Sequence, residues 1–253
     1  MAVIAVFNQK GGVGKTTTVL NLAAALALFE REPLVLDLDP QGHVSLALGV
    51  RALPSEASLA AFYRAHRPLG TLLRRMPNGV RLIPAHPDLS KVDALLGSTP
   101  GVAGRLRQGL RESGLDTGVV LIDCAPALGV LSLNALFAAD RVLVPVTADF
   151  LTLQGLSRLD IALKVLEPAL GRSVERRVVL TRYDEARPQC REALARLRQR
   201  YGAAVCETCI PDDAALAESP AHGQDIFAHA GDSRGAYAYQ RLATELMDKG
   251  FLR

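Results

Sequence analysis

Two lysines, three glycines and two threonines fall within the eight residues Lys10-Gly11-Gly12-Val13-Gly14-Lys15-Thr16-Thr17. These residue types at this spacing suit the enclosure of a phosphate. Glycines allow successive backbone N–H groups to turn toward one anion. Lys15 can set an ammonium against the β and γ phosphates of a nucleotide, the Thr16 hydroxyl can ligate Mg²⁺, and Thr17 can add a hydrogen bond. Such a loop works only between a strand and a helix. The flanking residues provide both, an apolar run at Ala2 to Phe7 and a strong helix former from Thr16 to Phe29. The start of that helix adds its dipole to the charge of the lysine. The plainer alternative, a glycine-rich turn with two solvated lysines, leaves the coincidence of strand, glycines and paired threonines unexplained.

Carboxylates form the second set of chemical groups. In Leu34 to Asp39, Asp37 and Asp39 are two residues apart, so an extended chain directs both to one side. In Val119 to Asp123 a buried strand ends in Asp123, and a turn containing Pro126 and Gly129 leads into an apolar helix. Ligands of open parallel sheets bind beyond the carboxyl ends of the strands, which puts these acids near the phosphates. Asp123 suits a carboxylate that holds Mg²⁺ through water, with Cys124 to Gly129 as a switch loop beside the γ phosphate. The bland reading makes each acid the cap of the turn that follows it.

Positioning these groups requires alternating strands and helices. Strands are predicted at Ala2–Phe7, Leu34–Leu38, Val80–Pro84, Val119–Asp123, Arg141–Val146, Val178–Thr181 and Ala204–Ile210. Helices are predicted at Thr16–Phe29, Ala103–Ser113, Leu151–Leu166, Gln189–Tyr201 and Arg234–Lys249. This is the pattern of an α/β fold with one doubly wound, mostly parallel sheet flanked by helices. The chain has 253 residues, 49% of them hydrophobic and 22% charged, enough for one large core. A single domain over residues 1–253 is expected, with no upstream helix-turn-helix unit. No signal-type apolar stretch follows a basic start, so a cytoplasmic location is expected. The net charge of +3 permits contact with nucleic acid without requiring it.

The four cysteines, Cys124, Cys190, Cys206 and Cys209, are too few and too scattered for a disulfide framework. Cys206 and Cys209 have C-x-x-C spacing inside a predicted strand, where residues three apart face opposite ways. Structural thiols are the expectation, and a metal or iron–sulfur site is the alternative.

The loop departs from the pattern G-x-x-x-x-G-K-[ST], because Gln9 stands where the first glycine belongs and Lys10 precedes the remaining glycines. KGGVGKTT resembles the deviant phosphate loop of the ParA/MinD family of ATPases. VLDLDPQGH and the D-x-x-P stretch from Asp123 resemble that family's next two motifs. VLVPVTADFLTLQGLSRL, TRYD at 181–184 and IPDDAALAESPAHGQDI from Ile210 extend the likeness over nearly the whole chain. The resemblance implies a P-loop fold and an ATPase with ATP and Mg²⁺ as cofactors. It implies that Lys10 reaches the partner's nucleotide in an ATP-sandwich homodimer, and that Asp39 positions the attacking water and lies by the metal with Thr16 and Asp123. Lys10, Lys15 and Asp39 are thereby the catalytic candidates, and Arg182, Pro211 and Asp213 lie on the adenine side.

Members of the ParA branch partition plasmids or chromosomes. They bind DNA non-specifically as ATP dimers on the nucleoid, and a ParB-type partner stimulates hydrolysis. Arg182, Arg187, Arg191, Arg196, Arg198 and Arg200 supply positive charge for such a surface, with a solvated helix face as the alternative. Asp212 and Asp213, where relatives often carry basic residues, weigh against strong DNA binding. A related ATPase that positions a non-DNA cargo is the nearest rival, and an iron–sulfur carrier ATPase the remote one. The end of the chain, with only Phe251 and Leu252 apolar after the last helix, is too short for an amphipathic membrane anchor, and no membrane partner is expected.

Overall fold

The computed structural model describes residues 2–149 and 152–253. Seven strands form one sheet: β1 Ala2–Val6, β2 Leu34–Asp37, β3 Arg74–Arg75, β4 Arg81–Ile83, β5 Val119–Asp123, β6 Arg141–Thr147 and β7 Glu175–Thr181. Their order is β3-β4-β2-β5-β1-β6-β7, with every neighbouring pair parallel except β3 and β4.

The helices are α1 Lys15–Leu28, α2 His43–Ala47, α3 Leu59–Ala65, α4 Val92–Leu96, α5 Arg105–Glu112, α6 Val130–Ala138, α7 Thr152–Leu170, α8 Pro188–Tyr201, α9 Ala214–Glu218, α10 Ile226–Ala230 and α11 Arg234–Asp248. The expected α/β architecture is therefore present. The predicted helix at Leu151–Leu166 corresponds to α7, which begins at Thr152; Leu151 lies outside the described residues.

Strand alternation sorts the core into two layers. Val3 and Ala5 of β1 and the following Phe7 pack into one apolar cluster with α3, α5, α6, α7 and α8. Ala2, Ile4 and Val6 point the other way, into a cluster formed with α1, α10 and α11. Each β1 residue from Ala2 to Val6 is at most 4% exposed, which explains a continuous apolar run rather than an alternating one. Full burial of a side chain the size of Ile4 stabilises by about 1.5–3 kcal/mol.

One predicted strand is absent. Residues 204–210 run beside β7 but form only an isolated bridge, Val178 with Val205. Cys206 N–H donates to the Val178 carbonyl and Ile210 N–H to the Leu180 carbonyl. Between them, Glu207 and Thr208 N–H donate instead to the Glu245 carboxylate on α11, at 2.7 and 2.8 Å. The ladder is broken by a side-chain acceptor that apolar content does not reveal. The seventh strand is instead β3, whose two arginines carry no strand-like apolar signal.

Candidate functional site

The sheet register brings the acids to the loop. Asp37 and Asp123 are paired residues at the carboxyl ends of β2 and β5, and Val6 at the end of β1 pairs with Asp123 on its other side. The glycine-rich loop leaves β1 at that same level and enters α1 at Lys15. It needs glycine at two positions, Gly12 with φ 73° and Gly14 with φ 83°. Thr181, at the end of β7, holds the loop from the side by donating from its hydroxyl to the Val13 carbonyl at 2.9 Å.

These elements line an open cleft of about 720 Å³. Gly11, Gly12, Gly14, Lys15, Thr16, Thr17 and Asp39 line it on one side, and Arg182, Pro211 and Asp213 on the other. Val13 is 1% exposed and contributes its backbone to the loop.

Lys15 is 7% exposed, and its Nζ donates to the Lys10 carbonyl at 3.0 Å. Burial lowers its pKa, while the nearby Asp123, Cys124 and Asp39 act in the opposite sense. A cationic group held out of water beside an open cleft is suited to an incoming anion.

Thr16 Oγ1 donates to Asp123 Oδ2 at 2.9 Å. Asp123 is fully buried, and its Oδ1 has no hydrogen-bond partner among the described residues. Burial is the largest cause raising its pKa well above the carboxylate range; Asp37 and Asp39 add to it, and the Thr16 bond and Lys15 oppose it. A buried, unsatisfied carboxylate oxygen beside a threonine hydroxyl is a hard oxygen donor set, which fits Mg²⁺. Thr16 and Asp123 would hold the ion, with Asp39 at the cleft wall.

The expectation that Asp37 and Asp39 face the same way is corrected. Asp37 is fully buried and turned to α2, where Ser45 donates to its Oδ2 from both N–H, at 2.8 Å, and Oγ, at 2.7 Å. Burial raises its pKa to about 6, against the pull of those Ser45 bonds. Strand β2 ends at Asp37, so alternation does not carry on to Asp39, whose Oδ1 accepts from Gln41 N–H at 2.9 Å. Only Asp39 of the two lines the cleft.

Lys10 is half-exposed, and its Nζ forms an ion pair with Asp149, which also accepts from Thr147 Oγ1 at 2.5 Å. Sequence reading gave Lys10 no partner within its own chain. With the two 139 positions apart in the sequence, only the fold brings them together.

On the opposite wall, Arg182 has φ 51°, a left-handed conformation that is uncommon for a residue with a side chain. The next residue, Tyr183, forms an isolated bridge with Pro211 and ties the two loops together. Asp213 lines the cleft, yet its carboxylate is already engaged. Oδ1 caps α9 by accepting from Ala215 N–H at 3.0 Å, and Oδ2 accepts from Gly235 N–H at 2.8 Å.

The two thiols of the C-x-x-C pair are withdrawn from solvent to different extents. Cys206 is buried and Cys209 half-buried, and burial pushes the thiol of Cys209 up to about 11 and that of Cys206 higher still. Among the described residues no three His, Cys, Asp or Glu side chains are grouped to hold a metal ion. No helix among them is long and apolar enough to cross a membrane.

Comparison with known proteins agrees with this geometry. A family described as an AAA domain matches residues 1–175. The chain is 42% identical over 248 residues to the chromosome-partitioning ATPase Soj of Thermus thermophilus, covering 96% of this chain and 94% of the relative. It is 35% identical to the chromosome partitioning protein ParA of Myxococcus xanthus, covering 98% and 88%. A structure of a Mycobacterium smegmatis protein named cobyrinic acid a,c-diamide synthase, with bound ATP analog and magnesium, superposes with a TM-score of 0.85 at 31% identity, covering 99% of this chain and 96% of the other. The septum site-determining protein MinD of Pyrococcus horikoshii shares the fold, with a TM-score of 0.79 at 21% identity and coverage of 98% and 97%. With a glycine-rich loop, a buried lysine and acids at two strand ends of a parallel sheet, and with relatives of this closeness over nearly its full length, the chain belongs to the ParA/Soj family of P-loop partition ATPases.

Proposed function

We propose that the protein binds ATP with Mg²⁺ in the cleft and hydrolyses it to drive a partition cycle on DNA. The observation that carries this reading is the group formed by Lys15, Thr16 and Asp123, in which a desolvated ammonium stands near a buried carboxylate with one unsatisfied oxygen. Backbone N–H groups of Gly11 to Thr17 enclose the β and γ phosphates, and the Lys15 ammonium offsets the charge that grows on them during transfer. Thr16 and Asp123 would hold Mg²⁺, which when bound would offset the negative charge of the phosphates. Asp39 orients the attacking water from the cleft wall.

Lys10 acts between chains. Its half-exposed side chain leaves Asp149 and reaches the nucleotide of a second copy, so that ATP joins two chains face to face and hydrolysis releases them. The ATP dimer binds DNA without sequence preference on the nucleoid in the cytoplasm. A ParB-type protein bound at a centromere site stimulates turnover, and a plasmid or chromosome is the cargo. The Thermus and Myxococcus relatives are named for chromosome partitioning, which favours DNA over other cargo.

The dimer reading is tested with Asp39→Ala, which removes the water-orienting group while leaving the phosphate loop intact. With ATP and Mg²⁺, light scattering should report twice the mass of the ADP sample. A variant that stays monomeric with both nucleotides contradicts the cycle.

A further inference from the structure

Of the six arginines expected to face DNA, two are paired with carboxylates of their own chain. On and before α8, Arg187 pairs with Asp184 at 3.0 Å, Arg196 pairs with Glu192 at 2.5 Å, and Arg191 donates to the Glu185 carbonyl at 2.6 Å. Only Arg198 and Arg200 of that helix lack an acidic or carbonyl partner among the described residues. A guanidinium already matched to a carboxylate releases few counterions when it meets a phosphate.

A second basic surface lies at the edge of the sheet. Arg51, Arg74 and Arg75, with Gly49, Val50 and Met76, line an open groove of about 680 Å³. All three arginines are exposed. The side chains of Arg51 and Arg74 have no hydrogen bond or ion pair among the described residues, and that of Arg75 meets only Glu32, at 3.4 Å between two well-exposed side chains, a weak pairing in water. The groove runs along β3, the edge strand of the sheet. Backbone groups on the outer side of an edge strand have no strand partner and add hydrogen-bonding capacity to the arginines. Arginine is suited to phosphate through its planar array of donors.

We infer that the groove between the loop after α2 and the β3 edge is a binding surface for the phosphodiester backbone of nucleic acid. This rests on the DNA part of the proposed function and places that contact away from α8. Charge complementarity identifies the occupant. An anionic lipid surface is also negative, but its binding needs protruding apolar side chains, and none of the groove residues is among the exposed large apolar side chains of the described chain. The three exposed arginines meet phosphates, so contact is with the backbone and independent of sequence.

The test is a fluorescence anisotropy titration of a mixed-sequence duplex with the full chain, ATP and Mg²⁺ at several salt concentrations. Parent, Arg51→Ala/Arg74→Ala and Arg198→Ala/Arg200→Ala are compared. The groove variant should lose about two units of the slope of log affinity against log salt, about one for each phosphate contact removed. Its DNA-free ATP turnover should equal the parent's, which shows that it is folded, and the α8 variant should keep most of the slope. A parental slope in the groove variant, or a loss confined to the α8 variant, overturns the assignment while leaving DNA binding in place. Absence of duplex binding by the parent sinks the DNA reading itself. Arginine-dependent binding to phosphatidylglycerol vesicles by such a parent replaces nucleic acid with a membrane.

Discussion

The two walls of the nucleotide cleft are built on different principles. On the phosphate wall, groups that carry or attract charge are left incompletely satisfied by the described residues: Lys15 is desolvated beside a carbonyl, and one buried oxygen of Asp123 has no partner among them. On the opposite wall, the Asp213 carboxylate is satisfied internally. Asp213 accepts two backbone N–H bonds, and the loops carrying Arg182 and Pro211 are tied by a backbone bridge. The difference teaches that, in the proposed complex, charge chemistry would fix the phosphates, whereas shape and main chain would form the other wall. Substitutions on the first wall should therefore change function with little change in stability, and those on the second the reverse.

The largest effect is expected at Lys15. Lys15→Ala should lower ATP turnover by about 100-fold or more, in the range seen when one preorganised charge-stabilising group is removed. Its melting temperature should stay the same or rise, because burial already disfavours the ammonium in the folded state. A large loss of stability in this variant would erase the contrast between the walls.

Asp213→Ala should behave inversely. Losing the cap of α9 and the bond to Gly235 should destabilise the fold by about 1–2 kcal/mol in urea titrations, while turnover at saturating ATP is retained. Asp213→Asn, which keeps one acceptor, should recover part of the loss. Unaltered stability together with lost nucleotide affinity would make Asp213 a direct ligand contact.

The smallest effect concerns Asp37, which stands behind the phosphate wall. Its folded carboxyl titrates at about 6, whereas an unfolded one titrates near 3.8. Between those values the folded state binds more protons, so its contribution to stability falls as pH rises from about 4 to about 6. Asp123 acts in the same direction, so the difference between parent and Asp37→Asn isolates Asp37. Nucleotide-free Asp37→Asn should lose less stability than the parent across that window. Parallel pH profiles would show that folding leaves the Asp37 pKa unshifted.

The phosphate wall was legible in the sequence because it is made of short segments. The spacing of Lys10 to Thr17 and the strand-ending Asp123 state their chemistry without long-range information, and α1 and β5 fall within one or two residues of expectation. What sequence could not supply were partners distant along the chain. Ser45 captures Asp37, Asp149 holds Lys10, and Glu245 interrupts the strand expected at 204–210 by taking two of its N–H groups. In each case a polar side chain overrides a local preference, and hydrophobic patterning does not register it. The edge strand β3 escaped for the converse reason, since two exposed arginines give no apolar signal.

The most direct measurement is a calorimetric titration of the purified chain with a slowly hydrolysed ATP analogue, with and without Mg²⁺, repeated on Asp123→Asn. One site per chain should be filled, more tightly with Mg²⁺ than without, and the substitution should remove most of that Mg²⁺ dependence. Binding of equal strength in all four titrations, or no heat at all, would contradict a cleft in which a buried carboxylate awaits a metal-bound triphosphate.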